Sequence, residues 1–233
     1  MRVSYRHPLE VSVREARAWQ EKLSGEVREE AALKLETVER VAGTDISYLR
    51  EHRLALGAVV LMDVPGLQVL EVARSAVEVD FPYVPGILSF RELPALLPAL
   101  EKLSRPPDLV FVDGQGVAHP RGFGLASHLG VLTGLPTVGC AKSRLVGRSE
   151  EPGPEVGDWE PLMYGDRCVG AVLRTRRGVK PLYISVGHLV DLSTAVKAVL
   201  SCLGGYRLPE PQRRAHLAAD ESKREVKAGR PAL

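Results

Sequence analysis

Leu109-Val110-Phe111-Val112-Asp113-Gly114 is the stretch from which the fold can be read. Four apolar residues in succession, two of them β-branched, suit a strand buried on both faces, as in a parallel arrangement. The run stops at an acid followed by glycine, so the strand delivers Asp113 to its carboxyl end. A glycine-rich loop, Gly114 to Gly124, follows. A helical pattern near Leu125–Thr133 and a second apolar strand at Thr137–Ala141 come next. Strand, helix, strand in this order predicts a parallel pair.

Upstream, three strand-like segments occupy Arg40–Tyr48, Leu54–Asp63 and Leu67–Val79. Pro65-Gly66 marks a turn between the second and third, which predicts a hairpin. A first helix is expected after Ser12, with Glu15 closing a capping box, running to about Thr37 with a break near Gly25. A helix over Ser89–Leu103 shows the same spacing at Ser89 and Glu92. Downstream, a polar loop runs through Gly157. Strands at Cys168–Thr175 and Leu182–Val186 and helices at Leu192–Leu203 and Gln212–Lys227 complete the pattern. The expected architecture is α/β: a mixed sheet, in which a three-strand antiparallel meander is followed by parallel strands, flanked by helices. No composition break divides the 233 residues, so one domain is expected, with about 221–233 as a flexible basic tail.

The composition is globular, with 45% hydrophobic and 26% charged residues. The net charge of +2 neither requires nor excludes nucleic acid, because binding depends on local cations at the phosphates. From Arg207 to Arg230, seven Lys/Arg stand against four Asp/Glu, a local excess of three. A solvated helix face explains that excess equally well. Cys140, Cys168 and Cys202 form no CxxC pair, and buried thiols are expected of Cys140 and Cys168 in their apolar runs. The longest apolar run, Leu54–Met62, is too short to span a bilayer, and the N-terminus lacks a signal-peptide core. A cytoplasmic monomer in a reducing compartment is the expectation.

Asp45 lies in Val41-Ala42-Gly43-Thr44-Asp45-Ile46-Ser47-Tyr48, where Gly43, Asp45 and Ser47 would share one strand face. An aspartate in a strand is disfavoured and, if buried, needs a cation or several donors. A strand-end aspartate making a turn explains it as well. Asp113 is the sharper candidate, because ligands gather at the carboxyl ends of parallel strands. Glu92 fits either a metal site or a helix cap. His119, Lys142 and His216 are each weak alone. Together, two strand aspartates and a third carboxylate suit hard divalent cations and two-ion phosphoryl chemistry.

These same residues carry a resemblance. GTDISY at Gly43–Tyr48, PYVPG at Pro82–Gly86 with SFRE at Ser89–Glu92, VDGQGVAHPRGFGLASHLG at Val112–Gly130, GCAKSRL at Gly139–Leu145 and YRLPEP at Tyr206–Pro211 stand in order along the chain. The sequence resembles the endonuclease V family, deoxyinosine-directed repair nucleases with a ribonuclease-H-like fold, from about Val41 to about Asp220. The resemblance implies that Asp45, Glu92 and Asp113 bind metal, magnesium or manganese as its substitute. It implies that His119 stands beside the scissile phosphate and that Lys142 assists there. It also implies that His216 lies near the metals, with Asp220, one helical turn on, as the alternative. It implies a wedge at Pro82, Tyr83, Val84 and Pro85 that enters the duplex, and a base pocket at Gly86, Leu88, Gly124 and Leu145. The implied reaction is hydrolysis of the second phosphodiester bond 3′ to a deaminated purine, leaving 3′-hydroxyl and 5′-phosphate ends. Inosine-containing RNA as the substrate, a non-catalytic binder of deaminated bases, and a general nuclease such as a junction resolvase are the alternatives.

Overall fold

The structure is a computed structural model that describes residues 7–30 and 33–230. Helix α1 (Val13–Ser24) precedes the three-strand meander β1 (Arg40–Leu49), β2 (Leu54–Asp63) and β3 (Val69–Glu78). Helix α2 (Ser89–Glu101) leads to β4 (Leu109–Val112), α3 (Leu125–Thr133) and β5 (Thr137–Ala141). Strands β6 (Trp159–Tyr164), β7 (Arg167–Leu173) and β8 (Leu182–His188) and helices α4 (Leu192–Ser201) and α5 (Glu210–Lys227) follow.

All eight strands form one sheet in the order β3-β2-β1-β4-β5-β8-β7-β6. Strands β1, β4 and β5 run parallel; the meander before them and the β8-β7-β6 half after them are antiparallel. The continuous apolar run of β4 is explained by its central place. Leu109 and Phe111 enter the core on the α4–α5 face, and Val110 and Val112 enter the core on the α2–α3 face. Alternate side chains of a strand point to opposite faces, so both layers need apolar residues. Among the described residues no helix is long and apolar enough to cross a membrane.

Several expectations are corrected. The Ser12–Glu15 capping box forms, but α1 stops at Ser24 with Gly25 as its cap. The chain beyond turns to the end of β8, where the Leu189 amide donates to the Arg28 carbonyl, and among the described residues up to Thr37 only a short 3-10 turn at Leu35–Thr37 is helical. The Ser89–Glu92 capping box is absent, because α2 begins without a side-chain cap and Ser89 Oγ bonds His128 Nδ1 at 2.9 Å instead. Strand β6 was hidden by Pro161, which an edge strand tolerates because one row of its backbone groups needs no partner. Cys168 is exposed, at the hairpin end of β7 opposite Met163. The segment expected as a flexible tail from about 221 is helical to Lys227 and docked: Arg74 on β3 pairs with Glu221 and Glu225, and Ser222 is buried.

Candidate active site

The parallel pairing of β1 and β4 sets Thr44 opposite Val112, so the next residues of the two strands, Asp45 and Asp113, come side by side. Helix α5 crosses the same face of β1. There Gly43 meets Pro211, Asp45 meets His216 and Ser47 meets Asp220, a contact every second strand residue. His216 Nδ1 lies 2.8 Å from Asp45 Oδ2, and its Nε2 lies 3.6 Å from Asp220. Ser47 Oγ donates to Asp220 at 2.6 Å. His216 is therefore the α5 residue that reaches Asp45, and Asp220 stands behind it.

Lys142, just past β5, closes on Asp113 from the other side. Glu92, in the first turn of α2, receives the Tyr48 hydroxyl at a long 3.5 Å. Burial and the Asp113 charge push the Asp45 carboxyl up to about 6. Burial, then Asp113, then Asp45, push Glu92 up to about 8. Asp45 and Glu92 thus both sense the charge of Asp113 and share one electrostatic environment. Among the described residues no three His, Cys, Asp or Glu side chains have the spacing of a closed metal cage. A pair of adjacent aspartates nevertheless fits magnesium, which binds through one or two carboxylates and completes its shell with water and phosphate oxygens. A cation between them would also remove the repulsion that burial magnifies.

Beside Asp113 and Lys142 opens a cavity of about 340 Å³. Gly86, Leu88, Gly124 and Leu145 all line it, as does His119. Gly124 has no room for a side chain: a Cβ there would stand 2.3 Å from the Gln115 carbonyl oxygen. Above the cavity rises the segment Pro82–Pro85. Val84 packs with Ile87 and Phe90 into a small core beneath α1, while Tyr83 is 70% exposed. An anchored loop with two prolines thus presents a tyrosine to solvent at little ordering cost.

His119 has a defined state. A carbonyl only accepts, so Nε2, 2.8 Å from Gly86 O, carries the hydrogen, and Nδ1 accepts from the Arg121 amide at 3.2 Å. Burial holds the ring neutral, pushing it down to about 4. Arg121 also donates its guanidinium to Gly86 O, and its Nε bonds Gln20 Oε1 of α1 at 2.8 Å. Sequence reasoning placed Arg121 within the VDGQGVAHPRGFGLASHLG motif without giving it a task and missed Gln20, whose part shows once the fold brings α1 to the loop. It also missed the task of Gln115. That side chain lines the cavity and donates to Ser143 O at 2.9 Å, while its Oε1 is buried without a partner among the described residues.

The mixed sheet is of the ribonuclease-H-like kind, and it sets Asp45, within β1, and Asp113, just past β4, beside Lys142, an arrangement suited to phosphodiester chemistry. Comparison with known proteins gives the family. The family model for endonuclease V matches residues 21–217. Endonuclease V of Roseiflexus castenholzii is 49% identical over 224 residues, 96% of this chain and 99% of that protein. The crystal structure of endonuclease V from Streptomyces avermitilis superposes with a TM-score of 0.89 at 45% identity, covering 96% of this chain and 99% of that one. A structure of the Ciona intestinalis enzyme in complex with a 24mer DNA containing an inosine followed by a ribo-adenosine gives 0.83 at 27% identity, covering 92% and 98%. The chain belongs to the endonuclease V family, and the activity it shares with that family is that of a nuclease.

Proposed function

We propose that this protein is a metal-dependent repair endonuclease that recognises deoxyinosine in DNA and hydrolyses the second phosphodiester bond on its 3′ side, leaving 3′-hydroxyl and 5′-phosphate ends. The observation that carries the reading is the opening of the Asp113–Lys142 pair onto the same small-residue cavity that lies beneath Tyr83.

Tyr83 enters the stack and fills the gap as the lesion leaves it, which any enzyme inspecting a whole base requires. The flipped base enters between Gly86, Leu88, Gly124 and Leu145. Gln115 lines the same cavity and braces the loop past β5 through its amide bond to Ser143 O. Asp45 and Asp113, with Glu92 behind them, are the groups to hold magnesium, or manganese in its place. When bound, the ion supplies charge for the phosphoryl transition state and acidifies water. His216 orients the Asp45 carboxylate through Nδ1. Lys142 balances Asp113 and meets the phosphate. His119, with both ring nitrogens engaged, holds the Gly86 carbonyl and so shapes the pocket wall next to the scissile bond.

A second reading, inosine-containing RNA, draws on one observation, the ribonucleotide that follows inosine in the Ciona complex. Matched oligonucleotides with and without inosine, as DNA and as RNA, incubated with magnesium and then with a chelator, separate these readings. The expected result is magnesium-dependent nicking one nucleotide beyond inosine in DNA. Asp113→Ala is expected to abolish cutting while leaving lesion binding largely intact. Wild-type turnover in that variant would remove the metal role from Asp113, and selective binding without cleavage by the wild type would leave a recognition module.

A further inference from the structure

A second cavity, of about 580 Å³, adjoins the first. The two share Lys142, Ser143 and Arg144, but none of the four small-pocket residues Gly86, Leu88, Gly124 and Leu145 lines the second. Its walls carry five cations, Lys142, Arg144, Arg174, Lys180 and Arg207, against one acid, Glu151.

These cations divide by task. Arg174 staples the loop before β6 to the turn before β8, bonding Gly153 O at 3.1 Å, Pro152 O at 3.1 Å and Glu151 Oε1 at 2.6 Å on one side and Val179 O on the other. Arg207 ties the Lys142 loop to the same turn, reaching Lys142 O and Pro181 O, each at 2.7 Å. Lys142 is held by Asp113. Arg144 and Lys180 are exposed and have no ion-pair or hydrogen-bond partner among the described residues. Two arginines thus fix the walls, and two solvated cations on those walls are free to meet a polyanion.

We infer that this groove is a phosphate track for the nucleic acid on the 3′ side of the cut, with Arg144 and Lys180 as its backbone contacts. This rests on the proposed function. If the base sits in the first cavity and the scissile phosphate lies at Asp113–Lys142, the strand that continues past Lys142 and Arg144 is the one carrying the new 5′-phosphate. Among the described residues the one buried unpaired polar side-chain atom on the groove's walls is Nε of Arg207, a side chain already tied to two carbonyls. The groove therefore contributes affinity independent of sequence, because contacts to phosphates position a strand without reading it.

The test is binding of inosine-containing and undamaged duplexes by the Asp113→Ala protein, with and without Arg144→Gln/Lys180→Gln, as a function of salt and of strand length on each side of the cut. Each phosphate contact adds about 0.9 to the slope of log K against log salt on B-DNA, so the pair is expected to lower the slope by about 2. Affinity for both duplexes should fall by the same factor. Shortening the 3′ arm to one nucleotide should weaken the parent and leave the double variant unaffected, whereas shortening the 5′ arm should weaken both alike. An unchanged slope, or a double variant that still responds to the 3′ arm, overturns the track. Failure of the parent protein to prefer inosine at any arm length would instead overturn the proposed function, a separate readout of the same titrations.

Discussion

Replacing Gly43 by alanine should disable the site from a position that touches no substrate. Gly43 lies on β1 two residues before Asp45, where the strand passes under the start of α5. An added methyl carbon would stand 2.0 Å from Pro211 O, 2.1 Å from the Pro211 carbonyl carbon and 2.4 Å from Gln212 N. All three are backbone atoms, so no side chain can swing away. Ordinary contact begins at 3.4 Å, so α5 must withdraw by about 1.4 Å, the difference between 3.4 and 2.0. That withdrawal also pulls Gln212, whose amide bonds Cys140 O at 3.0 Å, and moves His216 off Asp45. Overpacking of this kind costs about 1–3 kcal/mol, and a backbone obstacle puts Gly43→Ala at the upper end. At about 2–4 °C per kcal/mol for a chain of this size, Tm should fall by roughly 6–12 °C. A displacement of about 1 Å at a catalytic group can cost about 10²-fold in rate, so cutting of inosine-containing DNA at permissive temperature should fall on that scale. Gly25→Ala is the matched control. It has nothing within 4 Å of its added carbon and an ordinary φ of −70°, so it should be neutral or stabilising by up to about 1 kcal/mol. A Gly43→Ala protein with unaltered Tm and rate would refute the claim that close packing of α5 on β1 sets the geometry at Asp45.

Three further outcomes are expected. Tyr83→Ala should weaken lesion affinity and discrimination more than it lowers the rate at saturating substrate; unchanged affinity for inosine DNA in a gel-shift titration would rule out the wedge. Arg121→Ala removes one of the two donors on Gly86 O and the tie to α1, so KM for inosine DNA should rise several-fold while Arg121→Lys recovers part of the loss; a purely lower kcat would argue against a pocket-shaping task. His128, buried between His7 Nε2 at 2.7 Å and Ser89 Oγ, is held well below its usual range by burial. The unfolded chain therefore takes up a proton near pH 6.5 that the folded one refuses, so this stability is complete above that pH and lost as pH falls. His128→Asn should flatten the fall of Tm between about pH 6.5 and pH 4, and an acid limb as steep as the parent's would remove His128 as its cause.

The elements that local pattern governs were legible in the chain. The all-apolar run at Leu109–Val112 announced a strand buried on both sides, because the period of two leaves no face for polar residues. Ser12 and Glu15 announced the start of α1, since a capping box is closed within four residues. The family motifs also marked the carboxylates. Other features were set by distant contacts. Ser89 and Glu92 carry the spacing of a cap, yet His128 from α3 takes the serine. Pro161 argues against a strand until the sheet places it on an edge. The basic run after Asp220 reads as a tail until Arg74 on β3 gives its acids a partner.

By itself, then, the order of residues determined most of the strands and helices and which acids are candidates, because periodicity, caps and turn residues act over a few positions. Only the tertiary structure decided that Asp45 and Asp113 are neighbours, through the parallel register of β1 and β4. It also decided that His216 rather than Asp220 reaches Asp45, that His119 props the Gly86 carbonyl, and that Arg144 and Lys180 stand without a partner among the described residues on the groove beside Lys142. Those outcomes depend on which surfaces of a folded chain are pressed together, and no local pattern in the sequence encodes that.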